Sequence, residues 1–127
     1  MAIGLSGVAD FRWRADSTEV RWNHAGEEVV RRYAMPILKA IALNDGSGVA
    51  IVEHPDEAGR DNAVVLNADG SLRFRIKLPA PASSGYAFWE LYYVGTELTA
   101  FAAISGGDFA CVIDPSSGEI MRKYETR

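Results

Sequence analysis

Apolar and polar residues alternate along much of this chain, and a period of two is typical of β-strands that bury one face. In residues 72–78 every second residue is apolar and the residues between them are basic. Residues 9–15 alternate in the same way, and Val20 and Trp22 do so shortly after them, which predicts an N-terminal hairpin with a charged outer face. The residues of segment 72–78 expected in the core are Leu72, Phe74, Ile76 and Leu78.

Turn residues divide the rest of the chain into further short strands. Clusters of Gly, Asn, Asp, Pro and Ser separate the apolar segments, and each cluster indicates a hairpin connection. Residues 27–34 are open to either a strand or a helical turn, although Pro36 would end a helix and a strand is favoured. The further predicted strands are 29–33, 37–43, 49–53, 63–67, 86–94, 97–103, 109–114 and 119–125.

The same segments contain a weak internal repeat. Residues 63–67 superpose on residues 110–114, and Gly70 matches Gly118. We therefore predict an all-β protein of about eleven short antiparallel strands, with two blade-like four-stranded repeats packed as a sandwich or partly closed barrel. The predicted organisation is a single domain, residues 1–127, comprising an N-terminal hairpin region (8–35), repeat one (37–78), a connector (79–85) and repeat two (86–125).

Two family resemblances follow from these motifs. Residues 112–120 resemble the strand-turn-strand of quinoprotein-type β-propeller blades, where an Asp-x-x-x-Gly loop joins the outer strands, and residues 65–72 resemble the same element with a shorter loop. Because about four blades are the usual minimum for a propeller, a sandwich or barrel is preferred. The overall pattern is also similar to small uncharacterised bacterial proteins and to immunity-type β proteins, which implies a protein partner such as a toxin.

Composition narrows the class of protein further. The chain has 127 residues, 48% of them apolar, a formal charge of -4 and a single cysteine. No long apolar segment or signal-like N-terminus is visible, and an acidic chain is a poor match for nucleic-acid phosphates. The single cysteine excludes an internal disulfide, so we expect a reducing, cytoplasmic location with neither a membrane nor a nucleic-acid partner.

Residues that could carry chemistry are few, and none forms a recognised catalytic or metal motif. His24 and His54 are expected in solvated loops, and Cys111 is expected to be buried and inert. Asp69 and Asp114 are expected to cap turns. The sequence therefore predicts no catalytic residue, no metal and no cofactor.

The aromatic segment 86–94 is the strongest candidate for a binding role. One hypothesis is a strand buried on both faces; the other is that one face lines a ligand cavity or a partner interface, with Glu90 as an isolated polar anchor. The candidate binding residues here are Trp89, Glu90, Tyr92 and Tyr93. Strict alternation places Tyr86, Phe88, Tyr92 and Val94 on one face and Trp89, Leu91 and Tyr93 on the other.

A basic stripe is the second candidate. Arg73 and Arg75, with Lys77, share one strand face, and the N-terminal hairpin adds further arginines. An anionic partner could bind there if the two regions are neighbours, but a solvated face is the commoner arrangement. The hairpin contributes Arg12, Arg14 and Arg21, opposed by Asp10, Asp16 and Glu19.

Together these patterns favour a non-enzymatic cytoplasmic protein-binding module, of the immunity type in its sharpest form. A small-ligand-binding β-barrel and an enzyme of unrecognised type are the alternatives. Unpaired sheet edges also predict a homodimer.

Overall fold

The computed structural model describes residues 7–79, 86–104 and 107–126 and contains eleven strands and one short helix. This confirms the predicted all-β class and the number of strands. The elements are β1 (Ala9–Arg12), β2 (Glu19–His24), β3 (Glu27–Arg32), β4 (Lys39–Ala42), β5 (Gly48–Val52), α1 (Pro55–Ala58), β6 (Ala63–Asn67), β7 (Leu72–Ile76), β8 (Ala87–Val94), β9 (Glu97–Ile104), β10 (Gly107–Ile113) and β11 (Ile120–Glu125).

The strands form three antiparallel sheets, each built from consecutive strands. Sheet A has the order β1-β2-β3, sheet B has β4-β5-β6-β7, and sheet C has β11-β10-β9-β8. Short hairpin connections explain this topology, because consecutive antiparallel strands need only a tight turn between them. Each sheet has two end strands, so none of the three described sheets closes into a barrel. The predicted regions 8–35, 37–78 and 86–125 each hold one sheet, whereas a duplication and the single-domain assignment stay predictions.

Sheet B is the middle layer of the molecule. One of its faces contributes Ala50, Val52 and Val65 to a core shared with sheet C. The other contributes Val49, Ile51 and Val64 to a second core, around Val20 and Trp22 of sheet A. Burial on both faces explains why β5 and β6 read as nearly continuous apolar runs rather than as alternating ones.

Specific hydrogen bonds connect the three layers. The Trp22 indole N–H donates to the Ala68 carbonyl at 2.6 Å, which holds sheet A against the β6–β7 turn. The buried Asn62 amide donates to the Phe88 carbonyl and accepts from the Phe88 N–H, both at 2.8 Å. Asn62 thereby supplies β8 with the hydrogen bonds that a neighbouring strand would give, and fastens sheet C to sheet B.

The β10–β11 loop packs closely on β7. At Gly118, where φ is +82°, an added Cβ would lie 2.5 Å from the Phe74 ring. Arg73 also donates to the Pro115 carbonyl at 3.3 Å. Glycine is therefore required at position 118 both for its backbone conformation and for this close approach.

Several local predictions are corrected by the structure. Leu72 is 55% exposed rather than in the core, because a register shift between Val65 and Leu66 interrupts the alternation of β7. Residues 27–34 resolve as strand β3, and His24 lies at the end of β2 rather than in a loop. The predicted hairpin strand at 9–15 ends at Arg12.

The short helix α1 was missed by the sequence patterns. It begins after His54, whose Nδ1 accepts a hydrogen bond from the Asp56 N–H at 3.1 Å. Most of the predicted connector, residues 80–85, lies outside the described residues. Among the described residues, no helix has the length and apolar character needed to cross a membrane.

Candidate functional site

Large apolar side chains in the described residues are exposed mainly on sheet C. Six are strongly exposed, and five of them lie on β8 or β11. Such residues scattered singly are ordinary, but a cluster on one sheet is not. The five are Trp89, Tyr92, Val94, Met121 and Tyr124.

A β-bulge in β8 determines which aromatic side chains are exposed. The register between β8 and β9 shifts between Phe88 and Glu90, so Trp89 is the extra residue. Phe88 and Leu91 consequently both enter the core, while Trp89 and Tyr92 are 45% and 42% exposed. The strict alternation predicted for this strand is therefore wrong, and so is the hypothesis that both of its faces are buried.

The exposed rings gather around Phe101 of β9. The Phe101 ring centroid lies 6.0 Å from that of Trp89 and 4.7 Å from that of Tyr92. The strand register continues this row, pairing Phe101 with Ala110 and Ala110 with Tyr124. We call the surface formed by Trp89, Tyr92, Phe101 and Tyr124 the aromatic face; Phe101 is its centre and is only 7% exposed.

Ion pairs border the aromatic face. The Lys39 Nζ of β4 lies 3.2 Å from the Glu90 carboxylate and 5.6 Å from the centroid of the Tyr92 ring. Glu97 binds Arg122 through both carboxylate oxygens, at 2.9 and 2.5 Å, and this hydrogen bonding lowers the pKa of Glu97. Glu90 is therefore a paired rim residue, which corrects the prediction of an isolated polar anchor.

Tyr93 lies on the other side of β8 from Trp89 and Tyr92. It packs against the core between sheets B and C, and its Oη accepts a hydrogen bond from the Asn44 N–H at 3.0 Å. It also lines a cavity of about 450 Å³ to which neither Trp89 nor Tyr92 contributes. The predicted cavity lined jointly by these three residues is not formed, and the barrel that would have held it is absent from the described sheets.

The predicted basic stripe is occupied by contacts within the chain. Arg73 donates to the Asn67 side chain at 2.7 Å and to the Ser47 carbonyl at 2.8 Å. Arg75 donates to the Glu53 carboxylate at 2.7 Å and to the Asp61 carbonyl at 2.8 Å. Both residues keep their predicted binding role only as a prediction, since their visible contacts are structural.

The N-terminal arginines belong to a different sheet from Arg73 and Arg75 and are largely paired. Arg21 contacts Glu19 at 2.7 Å and Glu28 at 3.0 Å. Arg12 contacts Glu28 at 3.1 Å, and Arg32 contacts Glu19 at 3.2 Å. The outer face of sheet A is thus a network of opposite charges, which agrees with the solvated alternative.

A buried polar cluster between sheets A and B escaped the sequence patterns. The Glu53 side chain is 2% exposed and accepts from the Tyr33 hydroxyl at 2.5 Å as well as from Arg75. Burial, and then the hydrogen bond to Glu53, raises the pKa of Tyr33. The available signal was a carboxylate directly after the apolar strand β5, where a buried charge needs a partner.

The remaining candidate residues have structural contacts. Burial raises the pKa of the Cys111 thiol to about 11, against nucleophilic use at neutral pH. Asp69 and Asp114 accept from the N–H groups of Ser71 and Ser116, both at 2.9 Å, as predicted for turn-capping residues. In the part of the chain that the structure describes, no three His, Cys, Asp or Glu side chains lie close enough together to hold a metal ion.

Comparison with known proteins shows the fold alone. No family model matches the chain, and no curated protein matches its sequence. Among solved structures, a chain from the structure of Tne2 in complex with Tni2 is similar, with a TM-score of 0.68, 20% identity, and 91% of this chain and 82% of that chain covered. The neighbour is thus part of a complex of two proteins, while the resemblance to propeller blades gains no support.

Proposed function

We propose that this chain is a protein-binding module whose partner covers the aromatic face of sheet C. The observation that carries the proposal is the exposure of Trp89, Tyr92 and Tyr124 around the nearly buried Phe101. Trp and Tyr are enriched among the residues that dominate binding energy at protein interfaces. The Lys39–Glu90 and Arg122–Glu97 pairs would form a polar rim around this apolar centre.

The immunity type is the sharpest form of the proposal, with a toxin as partner and a non-enzymatic role for this chain. It is supported by the similarity to immunity-type β proteins and by the fold shared with a chain of the Tne2–Tni2 complex. Binding through a preformed sheet needs no catalytic group, cofactor or metal. A cytoplasmic location and a homodimer remain predictions, and sedimentation of the purified chain tests the dimer.

Affinity measurements on a reconstituted complex test the proposal. The chain is used to capture a protein from its own cells, the captured protein is purified separately, and the dissociation constant is measured by calorimetry. Trp89→Ala should weaken binding by about thirtyfold, which corresponds to about 2 kcal/mol. Leu72→Ala is the matched control, because Leu72 is exposed to 55% but lies on sheet B.

The control should bind within about twofold of the original chain, since isolated surface residues contribute little. Equal affinity for Trp89→Ala and the original chain would overturn the proposal. So would a complex that both variants weaken to the same extent.

A further inference from the structure

The cavity beside Tyr93 lies at the end of the sandwich where several turns meet. It is bounded by the β4–β5 turn, the β8–β9 turn and the β10–β11 loop, and is open on one side. Its volume of about 450 Å³ is within the range of ligand pockets in proteins. Most of its wall is apolar, with Leu43, Leu98, Val112, Ile113, Pro115 and Met121 as the apolar lining.

The turns around this cavity carry an excess of carboxylates. Asp45 and Glu97 line it, and Asp114 lies between two lining residues. Hydrogen bonds from Ser47 lower the pKa of Asp45, and hydrogen bonds from Ser116 lower that of Asp114, so both are ionised at neutral pH. Glu119 follows on the same loop.

Two cations lie nearby, and both are engaged. Arg122 is bound by Glu97, and Arg73 is held by Asn67, Ser47 and the Pro115 carbonyl. The guanidinium of Arg73 also contributes to lowering the pKa of Asp45, although less than the Ser47 hydrogen bonds do. The carboxylates of Asp114 and Glu119 have no cation within ion-pair distance in the described residues, which leaves the mouth of the cavity negative.

The cavity is continuous with the aromatic face. Glu97 and Val112 line the cavity and belong to the outer side of sheet C, where the register pairs Val112 with Arg122. Met121, which is 56% exposed, stands at the rim between the two surfaces. A partner that covers the aromatic face could therefore reach the cavity without crossing a charged barrier of like sign.

From this arrangement we infer that the cavity receives one large apolar side chain, presented by a segment of the partner in which basic residues flank that side chain. This inference rests on the proposed function, because it assigns a second contact to the same partner. The apolar wall would bury the side chain, and the carboxylates at the mouth would attract the flanking cations and disfavour acidic segments.

Blocked tripeptides of matched size test the cavity without the partner. The probes are acetylated and amidated Lys-Phe-Lys, Glu-Phe-Glu and Lys-Ser-Lys, titrated against the full chain while the methyl resonances of Leu43, Leu98 and Met121 are followed by NMR. Lys-Phe-Lys should shift these resonances saturably, and the other two peptides should bind at least about fivefold more weakly. Salt should reduce the difference between Lys-Phe-Lys and Glu-Phe-Glu.

Two variants keep the test specific to this cavity. Met121→Lys places a cation at the rim and should weaken Lys-Phe-Lys by about fivefold, whereas Leu72→Lys, a matched change on sheet B, should leave it unchanged. Equal shifts by all three peptides, or no saturable shift by Lys-Phe-Lys, would overturn the inference. Shifts that depend on protein concentration without peptide would also overturn it, because a second copy would then occupy the cavity.

The outcome is separable from that of the proposed function. Loss of Lys-Phe-Lys binding with an intact Trp89-dependent complex removes only the cavity contact. Saturable Lys-Phe-Lys binding with a complex that is insensitive to Trp89→Ala keeps the cavity contact and overturns the aromatic face as the partner site.

Discussion

Sheets A and C are the two outer layers of the molecule, and their solvent-facing surfaces differ in chemistry. On sheet A, Glu19 and Glu28 pair with three arginines, so charge faces water and is neutralised locally. On sheet C, Trp89 and Tyr92 face water around Phe101. The same fold can evidently cover an outer face with charge, so the aromatic face of sheet C is not a consequence of the architecture and points to a function.

The largest expected effect comes from writing the chemistry of sheet A onto sheet C. The double change Trp89→Lys with Tyr92→Glu should weaken the reconstituted complex by at least about a hundredfold, because two interface aromatics are lost. Calorimetry gives the affinity. Circular dichroism should show a melting temperature lowered by no more than about 5 °C, since both side chains are already partly exposed.

The corresponding change on sheet A is Arg21→Glu. It should leave the affinity within about twofold of the original, because exposed pairs contribute little energy. A partner that is lost with Arg21→Glu and kept with the sheet C double variant would reverse the roles of the two surfaces.

The inner face of sheet C should be as closed as its outer face is open. Cys111 is fully buried on β10, and burial raises its thiol pKa to about 11. In the native chain at about pH 8 its reaction with a disulfide reagent should be at least about a hundredfold slower than in denaturant. Absorbance of the released thiolate measures both rates, and comparable rates would show that sheets B and C are not packed as described.

A stability comparison distinguishes the charge network of sheet A from the buried pair of sheet B. Arg75→Met leaves the Glu53 carboxylate without its cation and should lower the free energy of unfolding by about 2 kcal/mol, less than for a fully enclosed pair because Arg75 is partly exposed. Arg21→Met should cost less than about 1 kcal/mol. Urea unfolding measures both, and equal costs would contradict the assignment of sheet A as a solvated surface.

The smallest effect concerns the turns that sheets B and C share in type. Asp69 and Asp114 accept serine hydrogen bonds only when folded, and these bonds lower their pKa in the native state. Their stabilisation is therefore complete above the ordinary carboxyl pKa of about 3.9 and is lost as the pH falls through the lower native values. Melting temperatures should fall more shallowly below about pH 4 in Asp114→Asn, which keeps an acceptor but does not titrate; an unchanged slope would count against this contribution.

The alternating pattern predicted most of the fold because hairpins, turn residues and one-sided burial are local properties. Strand β3 and the turn roles of Asp69 and Asp114 are examples in which local chemistry was sufficient. Bulges were not predictable from alternation. The shifts at Trp89 and Arg73 each reassign the side chains that follow, which is why the two faces of β8 and the burial of Leu72 were predicted incorrectly.

The candidate site was predictable only in part for a related reason. Segment 86–94 stood out by its aromatic content, but the partners of those rings lie on other strands. Phe101, Lys39 and Tyr124 join the aromatic face through sheet pairing and layer packing, which no local pattern encodes. The buried Glu53 depends likewise on Tyr33 and Arg75, which lie on separate segments.

The most direct test of the central claim is hydroxyl-radical footprinting of the purified complex, read by mass spectrometry for each aromatic side chain. The account predicts that oxidation of Trp89, Tyr92 and Tyr124 falls several-fold on complex formation, while Leu72, which is exposed on sheet B, is oxidised at the same rate as in the free chain. Unchanged oxidation of Trp89 and Tyr92 in a fully formed complex would contradict it.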